Sequence, residues 1–230
     1  MKTALITGAN KGIGFEIARQ LGQQGFFIIL TARSPGRGQV AIDQLETQGV
    51  KGIFIQMDVM DYESVRKAYL EVKEKVDQVD VLVNNAGILI DRQVDILKTE
   101  PQTAETTLYT NVLGPLWVTQ RFEPLLKNGA RVIMISSDMA AFSNEPGEWA
   151  PFYAISKTAL NALTRQLSIP LQRKGIAVNC VSPGWVRTDM GGGSADLSVV
   201  EGADTAVWLA TKADITLTGK FVKDREVIPW

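Results

Sequence analysis

"KTALITGANKGIG", residues 2–14, is the stretch from which the fold can be read. Residues 2–7, with Ala4, Leu5 and Ile6 at their centre, read as a core strand. Gly8, Gly12 and Gly14 follow, and Ile13, Ile17 and Leu21 recur at helical spacing over 12–24. A strand that turns through glycines into a helix leaves the helix's first N–H groups open, which makes an anion site. The spacing G-x-x-x-G-x-G differs from the G-x-G-x-x-G of the general dinucleotide fingerprint. Taken alone, the turn is either a ligand-free βα connection or a phosphate cradle.

The same alternation continues outward from it. Strands are predicted at 26–32, 52–57, 79–84, 131–136, 176–182 and 218–222. Helices are predicted at 37–48, 61–76, 101–127, 152–174 and 201–211. Pro101 suits a first helical turn, and Gly175 stops the helix before it. Regular β-α-β-α order with apolar strands predicts a doubly wound parallel sheet of about seven strands with helices on both faces. No internal repeat or Pro/Gly/Ser-rich linker divides the chain, so residues 1–230 are expected to form one domain. "DMGGGSADLSVV" (189–200) is the stretch expected to be most mobile.

In this setting the glycine turn favours dinucleotide binding. The end of the second strand commonly reads the adenosine ribose, where an acid binds the free 2′-hydroxyl. Here the strand ends in "TARS", with Arg33, and Lys11 lies in the glycine turn. Two cations and no acid predict a 2′-phosphate, hence NADP.

Composition sets further bounds. The 230 residues are 45% hydrophobic and 21% charged, with a formal net charge of −1. No basic block points to nucleic acid or an anionic membrane surface. No run approaches a membrane span, and a signal-peptide pattern is not seen, so a soluble cytoplasmic protein is expected. The single cysteine, Cys180, lies in the apolar run "IAVNCVSP" and reads as a buried small residue. There is no histidine, which removes Ser-His-Asp and Cys-His catalysis and every His-bearing zinc site. No metal site is expected. Acid–base chemistry falls to Tyr, Lys, Ser or carboxylates.

One pair stands out among these. Tyr153 precedes Lys157 by four residues, about one helical turn, so both side chains point the same way. A neighbouring ammonium favours the phenolate and is expected to lower the tyrosine's pKa. The spacing alone also fits a buried ring beside a surface charge.

"TGANKGIG", "MDV" (57–59), "NNAG" (84–87), "TNVLG" (110–114), "MISS" (134–137), "YAISK" (153–157) and "PGWVRTDM" (183–190) occur in this order. Together they resemble the short-chain dehydrogenase/reductase family over essentially the whole chain. "LTARSPGRGQ" and the ending "TGKFVKDREVIPW" are most similar to its NADPH-dependent carbonyl reductase branch. The resemblance implies that Gly8, Asn10, Lys11, Gly12, Ile13, Gly14 and Arg33 hold the phosphates. It implies that Asp58 and Val59 meet the adenine, and that Asn85, Ala86 and Gly87 pass beneath the adenosine half. It gives Asn111 a helix irregularity and an ordered water, Ser137 the substrate carbonyl, Tyr153 the proton, and Lys157 the nicotinamide ribose. Ser136 is the rival of Ser137, but the family's serine ends such a pair. Pro183, Gly184, Val186 and Thr188 would meet the carboxamide end.

The implied reaction is reduction of an aldehyde or ketone by NADPH, reversible toward alcohol oxidation. Alternatives are a 3-oxoacyl or hydroxysteroid-type reductase on the same scaffold, and a non-catalytic NADP-binding redox sensor. Trp149, Phe152, Trp185 and Met190 are candidates for an apolar pocket, although core packing accounts for aromatics equally well. Many monomeric members of the branch carry a long insertion before the catalytic tyrosine. Here only fifteen residues separate Ser137 from Tyr153. A homodimer or homotetramer built on helices 101–127 and 152–174 is therefore expected.

Overall fold

The strand Thr3–Ile6 (β1) lies inside an eight-stranded sheet of order β3-β2-β1-β4-β5-β6-β7-β8 in the computed structural model, which describes residues 1–230. The other strands are Phe27–Ala32 (β2), Gly52–Gln56 (β3), Val79–Asn84 (β4), Leu126–Ile135 (β5), Ala177–Val181 (β6), Phe221–Lys223 (β7) and Glu226–Val227 (β8). β1 to β7 pair in parallel, and β8 is antiparallel to β7. Helices α1 (Gly12–Gln23), α2 (Pro35–Thr47), α3 (Tyr62–Lys75), α4 (Pro101–Leu108), α5 (Gly114–Phe122), α6 (Pro151–Gln172) and α7 (Val199–Thr211) make the connections.

The apolar strands serve two cores at once. Ala4 and Ile6 join one buried cluster with α1, α2 and α7, and Leu5 joins the other with α3, α5 and α6. This is the alternation of side chains that a strand imposes. Strand order reverses beside β1, with β2 and β3 on one side and β4 on the other. The crevice at the C-terminal ends of these strands is where open α/β sheets take ligands. The glycine turn after β1 opens into it.

Four stretches depart from the sequence expectation. The predicted helix 101–127 is broken: α4 gives way to a π-helical turn at Tyr109–Leu113, α5 follows, and a 3₁₀ turn at Glu123–Leu125 ends it. Pro115 has no N–H to offer the Asn111 carbonyl four residues earlier, which frees the helix to widen there. Pro124 stops α-helical continuation, and Leu126 already belongs to β5. β5 thus starts five residues before the predicted 131, across a register shift opposite Val79–Val81 that Gly129, with φ +83°, accommodates. β7 begins at Phe221 rather than 218, because Gly219 is left-handed (φ +67°) and donates its N–H to the Val178 carbonyl at 2.7 Å. The eighth strand was not expected. Its two-residue hairpin holds Asp224 and Arg225 at φ +50° and +64° without the Asn-Gly signal such turns usually carry.

Candidate active site

The glycine turn is built to admit something close to the backbone. Gly8 has φ +61°, and a Cβ there would lie 2.9 Å from the Ala86 Cα. Gly12 has φ +59°, and its missing Cβ would touch the Thr188 methyl at 3.4 Å. A Cβ at Gly14 would lie 2.3 Å from the Asn85 amide nitrogen. That amide donates to the carbonyls of Thr7 at 2.9 Å and Gly8 at 3.1 Å, while the Thr7 hydroxyl accepts from Asn85 and Ala86 N–H. Asn85 therefore braces the turn with its side chain, and Thr7, absent from the sequence-based set, is the other half of the brace. Helix α1 starts behind this turn with no side-chain cap and no acid in its first turn. Its leading N–H groups and dipole are left for an anion.

The two expected cations behave differently. Arg33 is exposed, and its side chain makes no hydrogen bond or ion pair within the chain. Lys11 is paired with Asp189 at 2.6 Å, so its charge is already met from the 185–197 loop. Arg37, in the first turn of α2, adds positive potential at Asp189. The signal for Arg37 was the second arginine in "RSPGR", one turn beyond Arg33. Asp58 accepts the Met60 N–H at 3.0 Å, while its own N–H donates to Ser64. Val59 is buried against Gly114. Asn10 and Ile13 flank the turn, half-buried.

Behind the crevice, Tyr153 and Lys157 are buried side by side on α6, with 6% and 3% of their surfaces exposed. The Lys157 ammonium lies 5.6 Å from the Tyr153 ring centroid and donates to the Ile135 carbonyl at 2.8 Å. A Cβ on Gly87 would come within 3.3 Å of both Lys157 Nζ and Asn111 Oδ1, so "NNAG" packs against this centre. The Ser137 hydroxyl faces the Tyr153 phenol. Ser137 Oγ accepts the Met139 N–H at 3.2 Å, which leaves its own hydrogen free to donate. Ser136, the rival, is buried and donates to Asn161 Oδ1 at 2.6 Å, so it serves the core.

Asn111 occupies the π turn. Its amide accepts from Ile88 N–H at 2.8 Å, and donates to the Ile88 carbonyl at 2.9 Å and to Ser156 Oγ at 3.0 Å. Ser156 in turn donates to the Tyr153 carbonyl at 2.7 Å. The helix irregularity implied by the resemblance is thus present, and Ser156 links it to the tyrosine's turn.

One electrostatic expectation is corrected. Burial pushes the Tyr153 phenol up to about 12, with Ser137 opposing and the Asp91 charge adding to the rise. Burial lowers the Lys157 ammonium to about 8. The lysine does not lower the tyrosine here: burial is the dominant influence on each, and at Tyr153 only the Ser137 hydroxyl opposes it.

The far wall is the segment after β6. Gly184 has φ +75°, and Val186 bridges to Leu197. The 189–200 stretch is tied down more closely than its glycines suggested. Gly192 N–H donates to Thr188 O, Gly191 N–H to the Thr188 hydroxyl, and Trp185 Nε1 to Gly191 O. Arg92 donates to Met190 O and stacks on Trp149. Trp149 and Trp185 are 39% and 50% exposed, so core packing does not account for them. Phe152 and Met190 are half-buried, and Phe142, missed in the sequence, stands 84% exposed in the loop that follows Ser137. No group of three or more His, Cys, Asp or Glu side chains converges to hold a metal ion.

Comparison with known proteins bears on this arrangement. Residues 2–196 match the family model described as short chain dehydrogenase. The chain is 34% identical to carbonyl reductase (NADPH) 1 of Sus scrofa, an alignment spanning 100% of this chain and 94% of that protein. That alignment covers 274 positions against 230 residues here, so the relative carries additional residues within the matched stretch. The fold superposes on the NADPH-bound carbonyl reductase from chicken fatty liver with TM-score 0.90 and 28% identity, covering 100% and 99% of the two chains. A Burkholderia cenocepacia short chain dehydrogenase in complex with NADP gives 0.88 and 29%, covering 96% and 95%.

Proposed function

The chain belongs to the short-chain dehydrogenase family, and from that premise we propose that it reduces an aldehyde or ketone with NADPH, reversibly, with Tyr153 as proton donor. The observation that carries the reading is the buried Tyr153–Lys157 pair with the Ser137 hydroxyl turned toward the phenol. A sensor that only bound the dinucleotide would have no use for a buried acid aimed at the crevice.

The residues fit an NADP molecule. The glycine turn leaves its backbone bare, α1 offers uncapped N–H groups, and Arg33 is a free cation at the end of β2. Gly8, Asn10, Gly12, Ile13 and Gly14 would hold the pyrophosphate, and Arg33, with Lys11 and Arg37, the 2′-phosphate. Asp58 and Val59 would meet the adenine, with Asn85, Ala86 and Gly87 beneath the adenosine. Lys157 would meet the nicotinamide ribose, and Pro183, Gly184, Val186 and Thr188 the carboxamide. When bound, the reduced cofactor supplies a hydride to the carbonyl carbon.

The protein's own part is proton delivery and placement. A carbonyl that gains hydride develops negative charge on oxygen. Ser137 donates a hydrogen bond to that oxygen, and Tyr153 gives it a proton. Lys157 retains two hydrogens beyond the one given to Ile135 O, so it stabilises the tyrosinate left behind. Trp149, Phe152, Trp185 and Met190 rim the entrance with apolar surface for the remainder of the substrate. The reading includes a cytoplasmic, homo-oligomeric enzyme of one domain acting on small molecules. NADPH consumption measured against a panel of aldehydes, ketones, 3-oxoacyl thioesters and oxosteroids tests it. Oxidation of NADPH by none of them would refute it.

A further inference from the structure

Asp91 is completely buried, yet neither the resemblance nor the mechanism above uses it. A carboxylate removed from water needs strong compensation. Asp91 Oδ2 accepts the Phe152 N–H at 2.6 Å and the Tyr153 N–H at 3.1 Å. These are the second and third residues of α6, whose own cap position is Ala150 and whose first turn carries no acid. The catalytic helix lacks a local cap, and a residue from the β4–α4 connection supplies it. The other oxygen, Oδ1, is buried without a partner.

The two residues beside it hold the same place. Arg92 stacks on Trp149 at 5.2 Å, and Gln93, at φ +56°, donates its N–H to Trp149 O at 2.6 Å. Residues 91–93 therefore hold the entry to α6, Asp91 at Phe152 and Tyr153 and the other two at Trp149. The groups facing Tyr153 are Lys157 on α6, Ser137 after β5 and Asp91 from the β4–α4 connection. Asn111 on the π turn is neutral and committed to Ile88 and Ser156.

We propose that Asp91 is a positioning residue for the reaction: from the β4–α4 connection its carboxylate accepts the N–H groups that open α6, and so fixes where Tyr153 presents its hydroxyl. The proposal rests on Tyr153 as the acid, a separate claim that Tyr153→Phe tests on its own.

The experiment compares wild type, Asp91→Asn and Asp91→Ser, each without cofactor. Asparagine offers a neutral amide oxygen in place of the charged acceptor, and serine is too short to reach the two N–H groups. Amide hydrogen exchange at Phe152 and Tyr153 reads how firmly the first turn of α6 is held. Both variants are expected to exchange these two amides faster than wild type. With NADPH, their kcat for reduction should fall on the order of tenfold while KM stays nearly constant. Asp91→Glu is expected to recover part of both. Unchanged exchange at these amides, or an unchanged kcat, in a folded uncharged variant would overturn the proposal. So would loss of the folded state in both uncharged variants, since a positioning role requires that they fold.

Discussion

Lys157 Nζ lies 5.6 Å from the centre of the Tyr153 ring, and both side chains are buried at the base of the crevice. Burial lowers the Lys157 value to about 8, below its ordinary one, so the unfolded chain binds more protons between the two values. Stability contributed by this residue is greatest above the ordinary value and declines as pH falls toward 8. Lys157→Met should thus stabilise the cofactor-free protein more at pH ~7 than at pH ~9. Urea unfolding at both pH values measures this, below the range where Tyr153 titrates. An equal effect at the two pH values would contradict the assignment.

Arg33 is the free cation at the end of β2, whereas Lys11 is engaged by Asp189. A charge-assisted bond of about 1.5 kcal/mol or more corresponds to roughly tenfold in affinity. Arg33→Asp is expected to cut the preference for NADPH over NADH by at least that factor. Asp189→Asn, which releases Lys11, should move the preference the other way. Ratios of kcat/KM for the two cofactors decide both.

Gly8 combines a left-handed backbone with a Cβ position 2.9 Å from the Ala86 backbone. Gly8→Ala should cost about 1–3 kcal/mol of stability and weaken NADPH binding as well. Gly129→Ala serves as the control: it is equally left-handed at φ +83° but has nothing within 4 Å and lies away from the crevice. Denaturant melts together with NADPH fluorescence titration separate the two effects, because only Gly8→Ala should alter binding.

Tyr109 and Ile155 stand 43% and 47% exposed on the π turn and on α6. An apolar side chain left out of the core on such helices suits an isologous contact about a two-fold axis. Light scattering at micromolar concentration is expected to give two or four times the mass of one chain, and Ile155→Glu to lower it. A single-chain mass for the wild type would refute assembly.

Much of this arrangement was legible in the sequence, because it depends on local pattern. The βα turn at Gly8–Gly14 and the Tyr153–Lys157 pair follow from short-range spacing and helical period. Asp91 could not be read this way: it caps α6 across 61 residues of chain, and nothing in "LIDRQ" announces that contact. The Lys11–Asp189 pair, 178 residues apart, is likewise a product of the fold. The sign of the Tyr153 shift also required the structure, since spacing shows the attraction to Lys157 but not the loss of water around both groups. The break at Asn111 did carry a signal, Pro115 four residues on, which periodicity alone passed over.

The central claim is that the Tyr153 hydroxyl delivers the proton, and Tyr153→Phe tests it most directly. The change removes one oxygen from a buried ring and leaves the glycine turn, Arg33 and Lys157 in place. With a carbonyl substrate of the wild-type enzyme, kcat should fall by about 10²–10⁴, while the NADPH dissociation constant, read by fluorescence titration, stays within about threefold. A variant that kept near-normal kcat would contradict the account.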